Sequence, residues 1–227
     1  MKMLIKKFSI TLITVCVSIV VVALLGCANQ PEQKGLQLTD LCGRTITLDG
    51  PAQRIAALSA SDCEVICELG CEDNIVARGT YCNFPESVKN IKDVGSGELT
   101  NIEELIASKP DVVLMSKTGF TLDQVNAMEK AGLKTMVNEI NTLDDTFKYI
   151  QLLGKLTGKE DEADALELSI NYSIDDFMAL ASELPSKNVY FQLCDPQYGY
   201  WTAGNKTFLN DMTMIMSCKN IFDDVDG

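Results

Sequence analysis

Three observations predict an α/β protein with a parallel-sheet N-terminal lobe, a long bridging helix and the start of a second α/β lobe. Short apolar runs alternate with helix-period segments from Arg54 to Gly158. The 25 residues from Lys159 to Glu183 contain neither Gly nor Pro and carry an apolar stripe at three- and four-residue steps. Strand-like and helix-like segments resume after Pro185. Strand–helix alternation of this kind builds a parallel sheet covered by helices.

The chain opens with Lys2, Lys6 and Lys7, an uncharged apolar run from Phe8 to Leu25, and Leu24-Leu25-Gly26-Cys27. The run is 18 residues, long enough to span a bilayer. The basic start, the small residue at the break and the polar stretch after it favour a signal peptide over residues 1–26, cleaved to leave Cys27 free for lipidation. Residues 27–35, polar and holding Pro31 and Gly35, form a tether. Lipid chains contribute roughly 0.8 kcal/mol per buried methylene, so two or three anchor firmly. The expected location is the extracytoplasmic face of the cell membrane.

From residue 36 to 158 the segments fall in order. Leu36–Leu48 alternates around Cys42-Gly43, a β-hairpin ended by Asp49-Gly50-Pro51. Ile55–Leu58 is a buried strand, and Ser61 or Asp62 caps a helix to Leu69 that Gly70 stops. Ile75–Ala77 is a strand, Asn101–Ser108 a short helix before Pro110, and Asp111–Met115 the clearest strand. Thr121 opens a helix to about Lys130, Lys134–Val137 is a strand, and Thr142 opens a helix through about Leu156. The stripe Leu166, Ile170, Ile174, Phe177, Ala181 and Leu184 marks residues 159–184 as one helix of roughly 38 Å. It reads either as a surface helix or as a strut joining two lobes. In residues 185–227 a strand over Asn188–Leu193 precedes an aromatic loop and a helix from Thr207 to about Met216.

Composition excludes several classes. The chain holds 19 basic and 32 acidic residues, net charge −13. Loss of the leader leaves 16 basic residues and a net charge of −16, which argues against nucleic-acid partners. No His is present, which removes Ser-His and Cys-His catalysis. The acid pairs Asp144-Asp145 and Asp175-Asp176 point apart on helices, and no glycine-rich phosphate loop occurs, so no enzyme is expected. Seven of nine Cys lie beyond Cys27, an odd count with no CxxC pair. Cys63, Cys67 and Cys71 would line one helical face. They read as apolar core residues or, alternatively, as part of a thiol-rich metal or redox sensor.

A series of segments then carries a resemblance. Arg54–Ser61, Glu64, Leu69-Gly70 and Tyr81–Pro85 come first. Asn101-Ile-Glu-Glu-Leu-Ile-Ala-Ser-Lys-Pro-Asp-Val-Val-Leu114, Leu153–Gly158, Val189-Tyr-Phe, Trp201-Thr-Ala-Gly204 and Asn220-Ile-Phe222 follow. In this order they resemble the substrate-binding lipoproteins of ABC importers for iron complexes and vitamin B12. The resemblance implies two α/β lobes joined by one long helix, with ligand in the cleft between them and a permease as partner. It implies no cofactor, only a small-molecule metal chelate whose iron or cobalt belongs to the ligand. Ser59, Tyr81, Ser96 and Lys117 are the implied first-lobe ligand contacts, and Trp201 the aromatic contact from the second. Glu103, with Glu104 beside it, is the implied permease-docking acid. Only 42 residues follow Pro185, fewer than a second lobe needs to bury its sheet. The expectation is a fragment or truncated product that binds ligand weakly or not at all. Arg44, Arg54 and Arg78 are the only arginines, which disfavours anionic catecholate ligands and leaves a corrinoid, a neutral ferric complex or Tyr-held haem.

Overall fold

Four short apolar strands lie side by side, and their alternate side chains build two separate cores. The computed structural model describes residues 35–226. The signal peptide, Cys27 and most of the tether therefore lie outside the described residues. The hairpin forms as expected from β1 (Leu36–Thr39) and β2 (Thr45–Leu48), antiparallel with Leu36 opposite Leu48. The sheet comprises β3 (Ile55–Ala57), β4 (Ile75–Arg78), β5 (Val112–Ser116) and β6 (Thr135–Asn138), ordered β4-β3-β5-β6 and all parallel.

The helices are α1 (Ala60–Glu68), α2 (Ile102–Ala107), α3 (Leu122–Lys130) and α4 (Leu143–Thr157). Successive strand residues point to opposite faces. Ile55, Ala57, Val112, Leu114 and Met136 pack with Cys63 and Ile66 of α1 and Tyr149, Ile150 and Leu153 of α4. Ala56, Val113, Met115 and Val137 pack instead with Leu105 of α2 and Val125 and Met128 of α3. Both faces of the sheet are thus buried, which is why its strands are apolar throughout rather than alternating.

Helix starts follow the cap residues. Asn101 accepts from Glu104 N, and Thr121 and Thr142 form capping boxes with Gln124 and Asp145. One cap differs from the expectation. The N-cap of α1 is Ser59, whose hydroxyl accepts from Asp62 N, and not Ser61 or Asp62. The Asp62 side chain instead turns into the core. Gly158, at φ +71°, closes α4 in the left-handed conformation.

The hairpin is tied to β6 through Asp40. One carboxylate oxygen accepts from Cys42 N and Arg44 N (3.0 and 2.8 Å), closing the turn. The other accepts from Val137 N at 2.9 Å.

Helix α5 (Glu160–Ser182) follows, with 23 residues. It crosses α4 closely where Gly154 faces Ala163; a Cβ on Gly154 would lie 2.6 Å from the alanine methyl. Leu166 and Ile170 continue this packing, whereas Phe177 and Leu184 farther along the stripe are exposed. Beyond it come β7 (Asn188–Val189), α6 (Phe208–Ile215) and β8 (Lys219–Asn220), with β7 and β8 parallel. The strand expected over Asn188–Leu193 is shortened to two residues, because among the described residues its one ladder partner, β8, is itself two residues long. Leu143 N donates to Asp211 Oδ2 at 2.8 Å, joining the start of α4 to α6.

Beneath the C-terminal end of the sheet lies Asp62, fully buried. Its Oδ1 accepts from Asn138 Nδ2 (2.7 Å) and Tyr149 OH (2.9 Å), while Oδ2 is buried without a partner. Burial pushes its pKa up to about 6, against the opposing pull of the Ser59, Tyr149 and Asn138 dipoles. The folded state therefore holds this proton over a pH range where the unfolded chain has released it. The resulting stability is fully present below about pH 3.8 and is lost as pH rises to about 6. Asp62→Asn keeps an acceptor for Asn138 and Tyr149 and carries no charge. It should match the parent protein below pH 4 and exceed it in urea denaturation at pH 8 by about 3 kcal/mol at most; a pH-independent difference would contradict this.

Candidate functional site

Loops leaving the C-terminal ends of parallel strands are where α/β proteins place ligands. Here three such loops enclose a cleft of about 380 Å³. Ser59 follows β3, Tyr81 follows β4 and Ser116 ends β5, with Ser96, Thr118 and Phe120 completing the wall. Its lining runs from Leu58 to Phe120 and contains no charged side chain.

The floor depends on the absence of a side chain at Gly79. A Cβ there would sit 2.4 Å from Leu58 O and 2.8 Å from Ser96 Oγ. The close approach lets Gly79 N donate to Ala57 O and Thr80 N donate to Ser96 Oγ, both at 2.9 Å. Ser96 is thereby fixed as an acceptor whose own O–H is directed by what it meets. Ser59 Oγ accepts from Asp62 N at 3.3 Å and lies 3.2 Å from Ser61 Oγ. Ser116 Oγ and Thr118 Oγ1 are 2.9 Å apart. Tyr81 is 72 % exposed, its ring at the mouth. The cleft thus offers hydroxyls and an aromatic face, and no ionic partner.

Of the residues implied by sequence, Ser59, Tyr81 and Ser96 come together in this cleft. Lys117 and Trp201 do not line it. Lys117 Nζ donates to Glu139 Oε1 at 2.6 Å, and this bond raises the lysine pKa. Trp201 packs over Gly199 and donates from Nε1 to Tyr198 O at 3.1 Å, leaving its ring 66 % exposed. Glu103 and Glu104 stand in the first turn of α2, away from the cleft. Glu104 accepts from Lys92 Nζ at 2.8 Å; Glu103 is exposed.

Thr118 and Phe120 are cleft residues that sequence reasoning missed. Their signal was position alone, directly after the apolar run that forms β5. The expected Cys63, Cys67, Cys71 face does not form on one helix. Gly70, at φ +72°, ends α1 first, and Cys71 lies in the turn beyond.

A larger groove of about 620 Å³ lies between the C-terminal half of α5 and α6, lined by Phe177, Leu180, Leu184, Met212 and Ile215. It is almost wholly apolar and holds none of the implied ligand residues. The cleft at the strand ends has the convergent polar groups that orient a ligand.

The profile of the periplasmic binding protein family matches residues 55–226. An uncharacterized ABC transporter substrate-binding lipoprotein of Bacillus subtilis, YvrC, is 27 % identical over 223 residues, which is 91 % of this chain and 70 % of that protein. A vitamin B12-binding protein of Vibrio vulnificus is 22 % identical over 175 residues, 76 % of this chain and 63 % of its own length. Among solved structures, a possible iron-binding (periplasmic solute-binding) protein from Staphylococcus epidermidis superposes with a TM-score of 0.70 at 28 % identity, over 78 % of this chain and 69 % of that one. A periplasmic heme-binding protein from Pseudomonas aeruginosa gives 0.62 at 22 % identity, over 74 % and 62 %, a likeness of fold. The chain thus spans roughly two thirds of the relatives it matches.

Gly79→Ala should destabilise the protein by about 2 kcal/mol, because the new methyl must push β4 from Leu58 or displace Ser96. Urea denaturation measures the loss; unchanged stability would mean that the two strand ends are not held this closely.

Proposed function

The chain belongs to the periplasmic binding protein family, and from that premise we propose that it is the ligand-capturing component of an ABC importer. It is held at the extracytoplasmic face by lipid on Cys27 and delivers an iron complex or corrinoid to its permease. The observation that carries this reading is the convergence of Ser59, Tyr81 and Ser96 in one cleft at the C-terminal edge of the sheet. The lipid anchor rests on the order of basic start, apolar run, Gly26 and Cys27, with support from the relative named as a lipoprotein.

The charge of the cleft selects among chelates. Its lining offers hydroxyls, backbone and two aromatic rings, Tyr81 and Phe120, and Glu139 occupies nearby Lys117. An anionic catecholate complex needs guanidinium or ammonium groups to replace its hydration. A neutral ferric complex or a corrinoid needs hydrogen bonds and apolar faces, which this wall supplies. The chain has no His, so haem could not be held by histidine, and a tyrosine ligand stays open. A macrocycle seated on Tyr81 extends past the cleft, and Trp201 is the aromatic face proposed for its far side. Glu103 is the proposed docking acid for permease cations, since Lys92 engages Glu104.

Calorimetric titration with cyanocobalamin, a neutral ferric hydroxamate and a ferric catecholate tests the reading. The cleft is walled by residues 58–120 alone, so weak binding is expected, on the order of micromolar or worse. Tyr81→Ala should weaken it about tenfold, the effect of one stacked ring. Tight binding of the catecholate, or an affinity untouched by Tyr81→Ala, would contradict the assignment.

A further inference from the structure

Arg78 ends β4 beside the cleft yet does not line it. Its side chain is only 12 % exposed. Nε donates to Ile91 O (3.2 Å), Nη2 to Lys89 O (3.4 Å), and Nη1 to Gly79 O (3.1 Å) and Asp93 Oδ2 (3.4 Å). A planar guanidinium fork holds several oxygens in one fixed arrangement, which a single ammonium does not. The backbones join as well: Arg78 N donates to Lys92 O and Val94 N to Arg78 O, at 2.9 and 3.0 Å.

Asp93 carries this connection into the cleft wall. While Oδ2 meets Arg78, Oδ1 accepts from Thr80 Oγ1 at 3.1 Å and from Gly95 N at 2.8 Å. Thr80 precedes Tyr81, Gly95 precedes Ser96, and Thr80 N donates to Ser96 Oγ at 2.9 Å. Asp93, Thr80, Ser96 and Gly95 thus close a ring that ties the loop after β4 to the loop carrying Ser96. That second loop has little room to shift: a Cβ on Gly95 would lie 2.3 Å from Leu99 O.

The ring decides what Ser96 can offer. One lone pair of Oγ takes the Thr80 N–H, and among the described residues no acceptor takes the Ser96 proton. We propose that Asp93, held by Arg78, is a positioning residue for ligand capture: through Thr80 it fixes Ser96 Oγ as an acceptor from the wall and a donor to the cleft. The ligand then presents an acceptor oxygen to Ser96, as the amide side chains of a corrinoid or the hydroxamate oxygens of a ferric complex do. This inference rests on the ligand-capture reading of the cleft.

Two measurements on the full chain test it. The first needs no ligand: residue-resolved hydrogen exchange in Asp93→Ala. The Thr80 amide should exchange about tenfold faster, while the Leu58 amide, bonded to Leu114 O in the sheet, keeps its rate. Thr80→Val, which removes only the Oγ1 bond, serves if Asp93→Ala does not fold. The second is calorimetric titration with cyanocobalamin and a neutral ferric hydroxamate. Asp93→Ala should weaken binding about fivefold, and Asp93→Asn, which keeps an acceptor for Thr80 and Gly95, should recover most of the loss. In a Ser96→Ala background the Asp93→Ala effect should fall below about twofold, because a merely structural role would act equally in both backgrounds. An unchanged Thr80 amide, or an equal Asp93→Ala effect with and without Ser96, would overturn the proposal. If the parent chain binds neither chelate, the ligand-capture reading falls and the role of Asp93 in it falls too, while the Thr80 amide still reports separately whether the ring holds the wall.

Discussion

The buried Asp62 carboxylate is the interaction on which the geometry of the cleft depends. Its backbone N–H holds the Ser59 cap, and its side chain holds Asn138 at the end of β6 and Tyr149 of α4. One residue thus registers α1, the outer strand and the covering helix to each other, directly below a residue of the cleft wall. The cost is a carboxyl group kept from water with one oxygen unpartnered. An apolar residue would pack there without that cost, but it could not hold three elements by directed bonds.

Above this point, sheet and loops divide the work. Strands buried on both faces make a rigid platform, and the loops at its C-terminal edge carry the hydroxyls. The tight passage at Gly79 brings the β3 and β4 ends close enough for Ser96 to reach across and accept from Thr80 N. The same turn ends in Cys82, so the core beneath the cleft and the aromatic at its mouth are two residues of one short segment.

Much of this was legible in the sequence, and the failures share a cause. Apolar runs located all four sheet strands, and local chemistry marked the caps at Asn101, Thr121 and Thr142, because both signals lie within a few residues. The readings that changed depend on partners far along the chain. Asp62 looks like a helix cap until Asn138 and Tyr149 are seen to bury it. Lys117 looks like a free cleft cation until Glu139 is found beside it. Cys71 follows the helical spacing of Cys63 and Cys67, yet Gly70 has already turned the chain. The segment after Val189 has strand composition, but among the described residues no strand pairs with it in a ladder. Ser59, Tyr81 and Ser96, which line one cleft, were singled out because each lies in a loop that follows a strand. Trp201 instead packs within its own loop.

The loops after β3, β4 and β5 form the proposed ligand-facing wall. Hydrogen exchange of the full chain with and without saturating cyanocobalamin or a neutral ferric hydroxamate tests it most directly. Exchange should slow at residues 58–61, 79–82, 96–97 and 116–120, with the 177–187 and 212–218 walls of the apolar groove unchanged. Protection confined to that groove, with the strand-end loops unaffected, would contradict it.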